Sequence, residues 1–283
     1  MILTGKINKI IKFSNVDGPG NRMAIFFQGC NFNCDYCHNP ETINICKKCY
    51  GCIQKCPTKA LNKSEEGDVI WNEKLCCECD ECIKTCNFDA SPKVKDYTVD
   101  ELLENIAKVK SFIKGITVSG GESTLHYKFI TKLFIEVKKR WPNLTCFVDT
   151  NGGVNLKDEK YKEFVENTDA FMLDVKVWEK NQHLKLTDQS VEMVIENLYF
   201  LRDIGKLFEV RTVVVSERLD NRLTVENVSK AISGRDIRYK IIKYRHYGVR
   251  DDRKEHLFSP TDSELKELEE LAKKNGVKNI LII

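Results

Sequence analysis

The stretch Ala24-Ile25-Phe26-Phe27-Gln28-Gly29-Cys30-Asn31-Phe32-Asn33-Cys34-Asp35-Tyr36-Cys37 places a short apolar run directly before three closely spaced cysteines. A bounded apolar run of this length reads as a strand, and a loop leaving a strand suits a metal site. Three thiolates so close together can hold three corners of an iron-sulfur cube. The fourth iron is then left without a protein ligand, the open position that catalytic metal sites keep. An open iron can bind substrate. The alternative is a zinc knuckle, because zinc favours four ligands and His38 is near enough to serve as one.

Outward from this stretch, apolar β-branched runs recur at 23–28, 116–119, 144–149, 170–175, 208–215 and 239–244. Helical patterns are read at 98–113, 124–140, 156–166, 189–204, 223–232 and 262–274, with Thr98 and Glu101 forming a capping box at the first. Alternating β and α implies a parallel sheet or barrel. The later strands start roughly 25 to 40 residues apart, as βαβ units should, whereas the first two start about 90 apart. The excess, residues 40–95, is an insert, leaving 1–39 and 96–283 as the main domain. The insert is too short and too poor in apolar runs for a conventional core.

Every cysteine except Cys146 lies between Cys30 and Cys86. An odd count and the i, i+3 spacings speak against a secreted disulfide framework. The run Cys46, Cys49, Cys52, Cys56-Pro57 has the bacterial ferredoxin spacing, and Cys76, Cys79, Cys82 and Cys86 repeat it. In such pairs the fourth cysteine ligates the other cluster. One cube therefore takes Cys46, Cys49, Cys52 and Cys86, the second takes Cys76, Cys79, Cys82 and Cys56, and Cys77 is spare. Zinc ribbons, the alternative, use paired C-x2-C motifs and have no need of eight ligands in two such runs. The second run ends Cys86-Asn87 without the usual proline, a departure that weakens the backbone likeness. Cys146 reads as a buried strand residue, and His126 and His183 as surface or packing histidines.

Composition is that of an ordinary soluble protein: 283 residues, 42% hydrophobic and 31% charged, with net charge +3. Nothing in it argues for nucleic acid or a membrane surface. The N-terminal stretch Met1-Ile2-Leu3-Thr4-Gly5-Lys6 meets charge before an export signal develops, so the cytoplasm is the expected location.

The Cys30-x3-Cys34-x2-Cys37 loop, with aromatic Tyr36 before its last cysteine, resembles the radical S-adenosylmethionine (SAM) superfamily. That resemblance implies an open iron chelating the amino and carboxylate groups of SAM, and cleavage to methionine and a 5'-deoxyadenosyl radical. It implies a partial (β/α)6 TIM-like barrel carrying a ferredoxin-like dicluster insert. Its site should lie at the C-terminal ends of the strands, where Ser119-Gly120-Gly121-Glu122, Asp149-Thr150-Asn151-Gly152 and Asp174-Val175-Lys176 fall. These segments, with Asp17-Gly18-Pro19-Gly20, Arg22 and Cys37-His38-Asn39-Pro40, resemble glycyl-radical-enzyme activating enzymes. Tyr244-Arg245-His246-Tyr247-Gly248-Val249 points to the YjjW branch.

By that likeness Gly120 and Gly121 offer backbone to the SAM amino group, Glu122 faces a cation, and Lys176 meets the SAM carboxylate. Asp149 and Asp174 resemble residues that hold a monovalent cation, Arg211 is a further polar contact, and Arg245 or His246 stacks on adenine. Tyr36, Cys37, His38 and Val175 complete the expected cofactor contacts. The implied cofactors are SAM and three [4Fe-4S] clusters. The implied partners are a glycyl radical enzyme as protein substrate and a flavodoxin or ferredoxin as low-potential reductant. The alternatives are radical chemistry on a small molecule or another peptide, and an iron-sulfur electron carrier.

Overall fold

The structure is a computed structural model that describes residues 3–283; Met1 and Ile2 of the N-terminal stretch lie outside the described residues. The strands are β1 (Thr4–Ser14), β2 (Arg22–Phe27), β3 (Leu61–Lys63), β4 (Val69–Trp71), β5 (Lys95–Thr98), β6 (Gly115–Gly120), β7 (Thr145–Thr150), β8 (Ala170–Asp174), β9 (Leu207–Val214), β10 (Arg238–Lys243) and β11 (Ile280–Ile282). The helices are α1 (Gly51–Lys55), α2 (Glu81–Lys84), α3 (Val99–Val109), α4 (Tyr127–Arg140), α5 (Lys162–Asn167), α6 (Lys180–Thr187), α7 (Glu192–Asp203), α8 (Asn221–Ile232), α9 (Asp251–Lys254) and α10 (Asp262–Lys274).

Nine strands form one sheet in the order β11-β10-β9-β8-β7-β6-β2-β1-β5. From β2 to β11 every neighbouring pair is parallel, while β1 is antiparallel to both β2 and β5. The six expected strands are thus the consecutive parallel centre, β2 and β6 to β10. Their residues are buried on both faces, as in Met23, Ala24 and Ile25 of β2, the pattern that parallel sheets require. Helices pack in chain order over this centre, α3 on α4, α4 on α5, α7 on α8 and α8 on α10. The capping box at Thr98 and Glu101 is present at the start of α3.

Three strands of this sheet were not expected: β1, where charge alternates with apolar residues, and the short edges β5 and β11. The helix expected at 156–166 is replaced by a 3-10 turn, Glu159–Tyr161, running into α5. The extra helix α6 has almost no apolar stripe to mark it in the sequence.

Between the cysteine loop and β5 the chain leaves the main sheet and builds α1, the β3–β4 hairpin and α2. From residue 44 to 89 only Ala60, Leu61 and Cys82 are buried, too little apolar surface to hold the segment by itself. Its backbone nonetheless repeats. Lys48, Tyr50 and Lys59 have left-handed φ of 55°, 63° and 54°, and Glu78, Asp80 and Asp89, at the same offsets from the second run, have 55°, 57° and 46°. Non-glycine residues adopt this region reluctantly, so three coincidences mark two copies of one fold. Asn87 in place of proline leaves this internal repeat of positive φ intact.

Candidate functional site

β2 delivers Cys30, Cys34 and Cys37 into a loop pinned on several sides. Gly29 and Cys30 donate backbone N–H groups to the carbonyls of Thr42 and Ile43, at 2.8 and 2.9 Å. Asn33 and Asp35 donate to those of Thr187 and Leu186 at the end of α6, both at 2.9 Å. Buried Asp35 takes guanidinium bonds from Arg218 and from Arg253, the latter at 2.7 Å. All three cysteines are free. Burial pushes the Cys30 and Cys34 thiols up to about 12 and raises Cys37. Without a bound cation they are protonated, and a metal is what makes such thiols thiolates.

The loop faces the ends of β6, β7 and β8 across a cavity of about 210 Å³. Two glycines let the walls meet. A Cβ on Gly120, whose φ is +119°, would lie 2.2 Å from the Phe27 nitrogen, and one on Gly121 would lie 2.2 Å from the Gly29 oxygen. Glu122, 1% exposed, is turned into the protein. Its carboxylate accepts from Thr124 N–H and hydroxyl, Thr150 hydroxyl and Asn151 N–H, at 2.6–3.0 Å. It braces the β6 loop against the β7 loop, a different role from the cation contact expected of it.

Lys176 lies 3.1 Å from Asp174 and over the Tyr36 ring, with its pKa raised because Asp174 and the Cys34 and Tyr36 groups outweigh the opposing effect of burial. The Tyr36 hydroxyl is buried with no partner. Arg211 reaches the cavity through Asp149, at 2.8 Å, and also pairs with buried Glu209 at 2.5 Å. Burial raises Asp149 to about 6 against the pull of Arg211. Because folding raises this pKa, the group favours the folded chain at low pH and disfavours it as pH rises through about 6. Arg211→Met is expected to raise Asp149 further, by about one pH unit or more, as read by NMR titration of its carboxyl carbon. An unmoved titration would show that Arg211 does not hold Asp149 down.

The cavity thus gathers Cys30, Cys34, Tyr36, Cys37, His38, Gly120, Gly121, Glu122, Asp149, Asp174 and Lys176. Val175 is not among them: it is fully buried behind the strand end. Arg245 and His246 are exposed and do not line it. Arg245 enters only through its carbonyl, 3.0 Å from His38 Nε2. Ser119, Thr150 and Asn151, neighbours of the expected contacts in the same strand-end segments, line it as well. Ser119 donates to Asp149 at 3.0 Å, and the Asn151 amide lies 3.7 Å from Cys30 Sγ. His126 and His183 are packing residues whose pKa values burial lowers, and Cys146 is buried on β7.

In the insert, Cys56, Cys76, Cys79 and Cys82 line one small cavity together with Cys77. Among the described residues no group of three or more His, Cys, Asp or Glu side chains is arranged to hold a single metal ion, and no helix is long and apolar enough to cross a membrane.

A sequence model described as the Radical SAM superfamily matches residues 24–223. The trans-4-hydroxy-L-proline dehydratase activating enzyme of Clostridioides difficile is 29% identical, over 92% of this chain and 93% of that one. The 4-hydroxyphenylacetate decarboxylase activating enzyme of Clostridium scatologenes is 30% identical, over 70% of this chain and 68% of that one. Among solved structures, QueE from Escherichia coli superposes with a TM-score of 0.54 at 14% identity, covering 99% of this chain and 94% of that one, a likeness of fold.

Proposed function

The chain belongs to the Radical SAM superfamily, and from that premise we propose that it activates a glycyl radical enzyme by removing hydrogen from a glycine Cα of that partner. The observation that carries this reading is the meeting, in one cavity, of three free cysteines without a fourth, the Gly120-Gly121 backbone and the Lys176 ammonium. The residues fit a [4Fe-4S] cluster with one open iron, and the unpartnered Tyr36 hydroxyl leaves a buried donor for a ligand. When bound, the cluster and SAM supply a carbon-centred radical able to take hydrogen from a Cα. The relatives' names, each an activating enzyme for a different partner, support a protein as substrate.

The chain's own residues orient and enclose. Gly120 and Gly121 bring backbone close to an amino group, and Lys176 meets a carboxylate. Asp174 holds Lys176 in place, and Arg211 with Ser119 holds Asp149. Asp149 and Asp174 are each already paired with a side-chain cation, so Arg211 and Lys176 supply the charge that a monovalent cation would bring there. Glu122 braces the loops, and adenine is met by Tyr36 and His38 in preference to the exposed Arg245 and His246.

The parallel centre of the sheet is read as a partial (β/α)6 barrel over 1–39 and 96–283, and residues 40–95 as a ferredoxin-like insert of the YjjW type. The duplicated backbone and the shared cavity of Cys56, Cys76, Cys79 and Cys82 support two further cubes there, the other on Cys46, Cys49, Cys52 and Cys86. These relay electrons from a flavodoxin or ferredoxin. The test is anaerobic incubation of the reduced, iron-loaded chain with SAM and candidate glycyl radical enzymes. A glycine-centred EPR doublet with matched deoxyadenosine formation is expected, and its absence with every candidate would defeat the reading.

A further inference from the structure

The insert leaves and rejoins the main sheet through a narrow stalk. Asn44 donates its backbone N–H to the Asp89 carbonyl and its side-chain amide to the Phe88 carbonyl, both at 3.0 Å. Two residues beyond Asn44 lies Cys46, and three before Asp89 lies Cys86, the two cysteines read above as ligands of one cube. Closing that cube fixes the stalk from its far side.

On its near side the stalk touches the catalytic loop at two points. Buried Gln28, two residues before Cys30, donates to the carbonyls of Asn44 and Glu41 at 2.6 and 2.7 Å. Arg250, with only 13% of its side chain exposed, comes from the segment between β10 and α9. Its Nη1 donates to Asp89 Oδ2 at 2.8 Å and to Asn33 Oδ1 at 2.9 Å, and its Nη2 donates to the Cys34 carbonyl at 3.2 Å. One planar guanidinium therefore joins the exit of the insert to the residue that carries the central cysteine. Asp35, next in sequence, is gripped by Arg218 and Arg253. The loop is thus held at adjacent residues by three arginines, so the loss of one grip bears directly on the placement of Cys34.

We propose that Arg250 is a positioning residue that couples occupancy of the Cys46/Cys86 cluster to the geometry of the Cys30–Cys37 loop, and through it to the affinity of the site for SAM. This rests on the three-cluster reading. It adds to electron relay a second role for the insert: a chain whose insert has lost its iron also holds SAM more weakly at the catalytic loop. Lysine cannot substitute, because a single ammonium does not span three acceptors in the plane of the guanidinium fork.

The test uses the full iron-loaded chain and reads equilibrium SAM binding to the oxidised protein, the change in the EPR spectrum of the reduced protein when SAM is added, and iron per chain. Wild type should carry about twelve irons, four for each of three cubes. Arg250→Gln should keep that iron yet bind SAM about five- to tenfold more weakly, a typical coupling between sites. Asp89→Asn, which alters the far end of the link without touching the loop, should weaken binding in the same direction. Cys86→Ala should lose about four irons and weaken binding to the same extent, and combining it with Arg250→Gln should add little. Iron near four in wild type overturns the three-cluster reading, and the inference with it. Iron near twelve with unchanged SAM affinity in Arg250→Gln and Asp89→Asn, or with fully additive effects in the double variant, overturns the coupling alone.

Discussion

Cys34→Ala is expected to abolish SAM cleavage and the glycine-centred radical while leaving the chain folded, with about two thirds of its iron, two cubes of three, still in place. Cys34 is the middle cysteine of the loop and, at 7% exposure, the most buried of the three. With two thiolates the cube loses a corner that no other cysteine on the cavity can supply. The loop itself does not depend on the sulfur. Its carbonyl still accepts from Cys37 N–H at 3.1 Å and from Arg250, and its neighbours keep their bonds to Thr187 and Leu186. Iron analysis, deoxyadenosine chromatography and EPR on one preparation separate the outcomes. Deoxyadenosine formation within tenfold of wild type would remove this loop from the centre of the reaction.

Gly121→Ala is expected to be nearly as severe by a different route. The φ at Gly121 is not in the left-handed region, so alanine has no torsional objection. The obstacle is distance, since its Cβ would sit 2.2 Å from the Gly29 oxygen and 2.8 Å from the Thr42 oxygen, both backbone. Backbone atoms cannot swing aside as a side chain would. Gly29 must move, and it is bonded both to Glu122 N–H at 2.7 Å and to Thr42, so the displacement passes into Cys30. Overpacking of this kind costs about 1–3 kcal/mol of stability, and a shift of about 1 Å at a reacting centre costs about 100-fold in rate. Thermal denaturation, SAM affinity and turnover should all fall. Gly51→Ala, with nothing within 4 Å of its Cβ, should change none of them. Wild-type values for all three in Gly121→Ala would show that the close approach is not needed.

Much of this could be read from the sequence because the informative residues are local. The cysteine loop follows its strand directly, and each strand-end motif lies within a few residues of the strand that presents it. The central strands announce themselves because burial on both faces demands continuous apolar runs. β1 does not, because it lies beside the parallel centre with half its residues exposed and lysines between its apolar ones. β11 is three residues long, and only its pairing with β10 makes it a strand.

The same distinction separates the site residues. Lys176 and Asp174 are two residues apart, so their pairing was open to reading. Glu122 reads in the sequence as a charge near a cofactor, but its partners Thr150 and Asn151 come from the end of the next strand, and they turn it inward. Arg218, Arg250 and Arg253 act on a loop some two hundred positions earlier in the chain. No local pattern marks an arginine as destined for such a contact. Arg245 and His246 differ in the opposite sense: they stand one and two residues past Tyr244, just beyond β10, yet both are exposed and outside the cavity.

The stalk has one more consequence. Asn44 and Asp89 are joined by a single backbone hydrogen bond, so the segment between them begins and ends at nearly the same place. Such a segment is a cassette: excising residues 45–88 and closing the gap with a short turn leaves both ends where they already stand. Most of the buried apolar surface lies elsewhere, in the sheet and its helices, so the remainder keeps its core. The trimmed chain keeps Asn44, Asp89 and the Arg250 contact to Asp89, but not the cysteines through which the coupling proposed above would run.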